Sequence, residues 1–157
     1  MATTKLLPSP ESDPRVKAVF DDIRATRKTE FINNLWQALA FDPALLESTW
    51  SEVKRVMATP SQLDPLAKEM IYIAVSVANA CSYCVHSHTA AARAKGMTDA
   101  QHAELLSIIA LAAKTNHLVT GLQVPVDAVF DLGPGRRSAK PGSSRGALRP
   151  IADEVIQ

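Results

Sequence analysis

Apolar residues recur at three- and four-residue spacing through most of this chain. After Asp13-Pro14 the stripe is Val16, Val19, Phe20 and Ile23. After Asp42-Pro43 it is Leu46, Thr49, Trp50, Val53, Val56 and Met57, with Glu47, Lys54 and Arg55 off the stripe. That spacing follows one face of an α-helix. The Asp-Pro pair before each stripe supplies its start. An N-cap aspartate accepts a bond from a free helix N–H, and a proline at the first helical position needs no N–H there. A third pair, Asp64-Pro65, has the same form. Helices are therefore predicted from near residues 14, 43 and 65, with a shorter one over 32–41 carrying Leu35, Trp36 and Leu39.

The helix from Pro65 differs, because Met70 to Val75 is apolar on every side. A helix hydrophobic all round is buried all round. This predicts either a central helix or one covered by a second subunit. A further helix is predicted over 83–95, stopping at Gly96. Thr98 and Gln101 then form a capping box that opens a helix through Leu105, Leu106, Ile108, Ile109 and Leu111 to about Leu118. No glycine precedes Gly96, which argues for helices over strands and tight turns. The expectation is an all-α domain of about six helices over 1–132. Beyond Leu132 the composition changes: 133–150 holds four of the six glycines, three prolines, five basic residues and no acid. Residues 133–157 read as a tail or arm.

At 157 residues the chain fits one domain, and 46% hydrophobic with 21% charged residues is ordinary for a globular one. A net charge of +1 gives no electrostatic case for nucleic acid or an anionic membrane. The basic tail has no interleaved aromatics to change that. Two cysteines are too few for a disulfide-stapled scaffold. The N-terminus lacks the apolar stretch of a signal peptide, and the most apolar run, Met70 to Cys81, is shorter than a membrane span. The expectation is a soluble, cytoplasmic protein with no nucleic-acid or membrane partner.

The chemistry gathers in one segment. Cys81-Ser82-Tyr83-Cys84 opens a predicted helix that continues through His86 and His88. At about 100° per residue, Cys84 falls about 60° and His88 about 20° from Cys81, so the three share a face. Free N–H groups at a helix start favour a thiolate, a nearby histidine can take the proton, and two thiols at this spacing can close and reopen a disulfide. Which cysteine attacks stays open: nearness to the free N–H groups favours Cys81, but access decides the rate. The plainer reading is two small buried apolar side chains. Zinc is a competitor, with Cys81, Cys84, His86 and His88 as its ligand types, but His86 points about 140° away and a tetrahedral site needs convergence. Glu69 lies on the stripe of Leu66, Met70, Ile73 and Val77. Burial there would raise its pKa and suit it to accept a proton near neutral pH; alternatively it reaches solvent or pairs with a basic side chain. Trp36 and Trp50 read as core, and His102 and His117 receive no role.

The pattern Glu-x11-Cys-x2-Cys-x3-His, here Glu69, Cys81, Cys84 and His88, resembles the signature of the alkylhydroperoxidase D-like branch of the carboxymuconolactone decarboxylase family. The similarity runs over roughly 31–124 and includes the apolar helix before the cysteines and the Gly-Met-Thr-Asp-Ala-Gln turn after them. The resemblance implies an all-α fold assembled as homo-oligomers, often trimers or hexamers. It implies a cofactor-free dithiol peroxidase that reduces hydroperoxides and is restored by an external thiol or dithiol reductant. It assigns attack to Cys84, resolution to Cys81 and a proton relay to Glu69 and His88. Some members carry a histidine between the cysteines; Tyr83 stands there, so a relay through that position would need Tyr83 or water. Decarboxylases of the family do not rely on the cysteine pair. Two alternatives remain: a lactone decarboxylase or isomerase using His88 and Glu69, and a zinc-binding or assembly protein.

Overall fold

The structure, a computed structural model, describes residues 6–130. Among them are six α-helices and no strand: α1 (Pro14–Arg27), α2 (Asn34–Leu39), α3 (Pro43–Val53), α4 (Pro65–Ala78), α5 (Ser82–Ala94) and α6 (Asp99–Leu122). The three aspartates cap as their sequence context predicts. Asp13 accepts from the N–H groups of Arg15 and Val16, Asp42 from Ala44 and Leu45, and Asp64 from Leu66 and Ala67. Each such cap is worth about 1 kcal/mol. At α6 the capping box closes in both directions: Gln101 N–H donates to Thr98 Oγ1 at 3.1 Å, and Thr98 N–H to Gln101 Oε1 at 2.9 Å. Two boundaries differ from the sequence pattern. Helix α2 is shorter than 32–41, and α6 runs on to Leu122.

The described residues divide into two compact units, the boundary falling after Thr115. The first holds two cores. One is built by α1, α2 and α3 around Phe20, Ile23, Trp36 and Leu46, with Trp36 and Trp50 meeting edge to face at 5.4 Å. The other joins α4, α5 and the start of α6 through Ile73, Ala92, Met97 and Leu105. Between α3 and α4 the chain makes a π-helical turn, Lys54–Ala58. Such a turn strands carbonyl oxygens. The buried Lys68 ammonium takes one of them, donating to Val56 O at 2.7 Å, and also donates to Thr59 O just past the turn at 3.3 Å. The second unit contributes the end of α6 and a 3-10 turn, Ala128–Phe130, to the described residues. The tail expected over 133–157 lies outside the described residues.

Helix α4 is not the central helix that its all-round hydrophobicity allowed. Ile73 is fully buried, but Ile71 and Val75 are each 53% exposed. Helix α5 and the start of α6 cover one side of α4 and leave an apolar side bare. Helix α6, at 24 residues, is long and apolar enough to cross a membrane on length and composition. The sequence pattern instead singles out Met70–Cys81 as the most apolar run. Alanines and small polar residues dilute the apolar signal of α6, but few charges interrupt it. A bundle helix passes the same measure, and Leu105 and Ile109 of α6 pack into the second core.

Candidate active site

Helices α4 and α5 form a hairpin whose connection sets the cysteines. Ala80 takes a left-handed conformation, φ 53°, which costs a residue with a Cβ roughly 1 kcal/mol. The turn is held by α4 carbonyls: Ala80 N–H donates to Val77 O at 3.1 Å and Cys81 N–H to Ser76 O at 2.9 Å. Cys81 thereby becomes the N-cap of α5, and Cys84 lies in its first turn. Both are free thiols, and the two residues approach to 2.7 Å. The Cys84 thiol, and after it the Cys84 backbone N–H, hold the Cys81 thiol below its usual range. Burial, and then the neighbouring Cys81, push the Cys84 thiol up to about 11. Both directions favour Cys81 as the more acidic thiol of the reduced pair, in keeping with its place at the helix start.

Glu69, one turn into α4, is 6% exposed. His88 Nδ1–H donates to its Oε2 at 2.6 Å, and the Lys95 ammonium donates to its Oε1 at 2.9 Å. The expected burial is present; the expected rise in pKa is not. Burial does push the carboxyl up, but the bonds from His88 and then Lys95 more than offset it, and Glu69 lies below the ordinary carboxylate value. Glu69 is an ionised acceptor that fixes the His88 tautomer, rather than a poised proton acceptor. With Nδ1 committed to Glu69, Nε2 is the ring nitrogen left to take a proton. Tyr72 stacks on the imidazole at 3.7 Å between centroids and fixes its plane.

Two cavities open on these groups. One, of about 540 Å³, is apolar and lined by Ile71, Val75, Cys81 and Cys84 among others. The second, of about 610 Å³, is lined by Glu69, Tyr83, Cys84, His88 and Lys95. Met57, Tyr72 and Cys84 line both. The Tyr83 hydroxyl accepts the Leu35 N–H at 3.1 Å, which ties it to the start of α2 and leaves its own proton to donate. His86 turns away from the cysteines, its Nδ1–H donating to Ser82 O at 2.8 Å. Among the described residues no three His, Cys, Asp or Glu side chains converge on a metal position.

The sequence pattern missed Lys95 and Tyr72. Lys95 is seven residues past His88, about 20° around the helix from it, so the arithmetic that linked Cys81 to His88 reaches Lys95 as well. Tyr72 was hidden inside the apolar run, three residues from Glu69 and on its face of α4.

The model of the carboxymuconolactone decarboxylase family matches residues 43–127. A solved structure described as the crystal structure of the alkylhydroperoxidase AhpD core from Rhodospirillum rubrum is 66% identical, with a TM-score of 0.80, over 83% of this chain and 97% of its own. Among curated proteins none matches.

Proposed function

Because the chain belongs to the carboxymuconolactone decarboxylase family, in its alkylhydroperoxidase D-like branch, we propose that it is a thiol-dependent alkylhydroperoxidase that cycles Cys81 and Cys84 between dithiol and disulfide. The observation that carries this reading is the meeting of a free dithiol at the start of α5 with the Glu69–His88 pair, Cys84 and His88 lining one cavity. An acid–base pair beside two thiols supplies what peroxide reduction needs: a thiolate and a proton for the departing oxygen.

In the proposed cycle His88 Nε2 takes the Cys84 thiol proton. The Cys84 thiolate attacks the outer peroxide oxygen, the O–O bond breaks, and the departing alkoxide takes the proton held by His88. Cys84 is left as a sulfenic acid. The Cys81 thiol then attacks the Cys84 sulfur, the S–O bond breaks, and water leaves with the Cys81 proton as the disulfide forms. A thiol or dithiol reductant returns two electrons and two protons. Attack by Cys84 is supported by its place at the junction of both cavities, whereas Cys81 lines the apolar one alone. The lower pKa of Cys81 favours the reverse order. Single-cysteine variants separate the two.

We place the working form as a homo-oligomer in the cytoplasm. Ile108 and Leu111 of α6 are exposed apolar side chains of the kind a second copy covers. The test of the activity is direct. Reduced protein receives one equivalent of tert-butyl hydroperoxide, free thiols are alkylated, and the intact mass is recorded. Loss of both thiols together, reversed by a dithiol, is the expected result. Two thiols that stay free and alkylate normally remove the central step and leave acid–base chemistry by Glu69 and His88, the decarboxylase or isomerase alternative, in its place.

A further inference from the structure

Five arginines lie among the described residues, and four of them meet a carboxylate: Arg15 with Glu47, Arg24 with Glu11 and Asp21, Arg55 with Glu52, and Arg93 with Asp99. Arg27 does not. Its guanidinium carbon sits 5.5 Å from the Trp36 ring centroid and 5.4 Å from that of Trp50. Two indoles set edge to face hold the cation in one place without using its N–H groups. Arg27 lines a cavity that Cys84 and His88 also line. Burial pulls the Arg27 guanidinium below its usual value and the field of Glu69 offsets part of that, but both Glu69 oxygens are taken by His88 and Lys95. On the same cavity wall the buried Trp36 Nε1–H and Asn33 Oδ1 have no partner.

A planar guanidinium seated against two indoles, with no carboxylate partner among the described residues, is shaped for a carboxylate, which it binds through two parallel hydrogen bonds. The adjoining apolar cavity, reached past Met57, Tyr72 and Cys84, suits an aliphatic body. We propose that Arg27 anchors the carboxylate of an amphipathic aliphatic acid, and that the hydroperoxides this protein prefers carry an acid group. The second half rests on the peroxidase reading; the first does not. Arg27 lies outside the 43–127 family match, so the anchor is supplied by α1 rather than by the matched region.

The chain has two tryptophans, and both flank Arg27. Intrinsic fluorescence therefore reports the site. Full-length reduced protein is titrated with octanoate and with methyl octanoate. The expected result is a saturable change with octanoate at concentrations about tenfold below those the ester needs, a preference lost in Arg27→Met and kept in part in Arg27→Lys. Equal titration by acid and ester in the wild-type protein overturns the proposal without any variant. So does an Arg27→Met protein, folded by circular dichroism, that keeps the preference. Turnover of linoleic acid hydroperoxide is then compared with that of its methyl ester. A binding preference with neither hydroperoxide consumed upholds the anchor and removes the peroxidase reading. Equal consumption of both, with no binding preference, does the opposite.

Discussion

Lys95 and His88 grip opposite oxygens of one buried carboxylate, Lys95 on Glu69 Oε1 at 2.9 Å and His88 on Oε2 at 2.6 Å. Burial pushes the Glu69 carboxyl up, and the hydrogen bonds from His88 and Lys95 more than offset it. In Lys95→Met burial wins more of that contest. The Glu69 carboxyl then titrates at higher pH, and the acidic limb of kcat/KM against pH moves up with it. The expected loss at the acidic end is about tenfold, equivalent to about 1.4 kcal/mol of coupling. Lys95→Arg restores the profile. An unchanged acidic limb in Lys95→Met would show that the ammonium only packs there.

The same carboxylate has a stability consequence. A group whose folded pKa is depressed stabilises the fold above its unfolded value, ordinarily 4.5, and loses that contribution as pH falls through the lower folded value. Urea midpoints of the wild-type protein should therefore fall below about pH 4.5 more steeply than those of Glu69→Gln. At neutral pH Glu69→Gln should also slow peroxide reduction about a hundredfold, because His88, the proton-transferring group, loses the carboxylate that fixes its tautomer. Parallel midpoint curves for the two proteins would detach Glu69 from the acid transition.

Single-cysteine variants decide the order of the thiols. Cys81→Ser is expected to consume one equivalent of hydroperoxide and stop as a sulfenic acid at Cys84, visible as one added oxygen by mass. Cys84→Ser is expected to consume none. The opposite pattern would hand the attack to Cys81, the more acidic thiol of the pair.

Ala80 offers a test of the hairpin. Its φ of 53° is one that glycine adopts without a Cβ penalty. Ala80→Gly should raise stability by about 0.5–1 kcal/mol while leaving the Cys81 N–H bonded to Ser76 O. A fall in melting temperature would mean that the Ala80 methyl packs more than the turn strains.

Light scattering checks the bare apolar face of α6. The expected mass is two or more copies of the chain, and Leu111→Lys should lower it, because the introduced ammonium cannot be buried unpaired against a second copy. A wild-type monomer at all concentrations would leave that face without the proposed cover.

Much of this protein is written locally. Helix starts follow from Asp13, Asp42, Asp64 and Thr98, because a cap is a contract between residues two or three apart. The shared face of Cys81, Cys84 and His88 follows from helical rotation alone, and the family resemblance was legible in that spacing. Other features needed the fold. The charge state of Glu69 depends on a lysine 26 residues away on another helix, and no local rule weighs burial against a distant cation. The bare side of α4 could not be read from a run that is apolar all round, since hydrophobicity names a wish for cover and not its supplier. Arg27 looks in sequence like any basic residue at a helix end; only the meeting of α1, α2 and α3 sets it against two indoles, on the cavity that Cys84 lines.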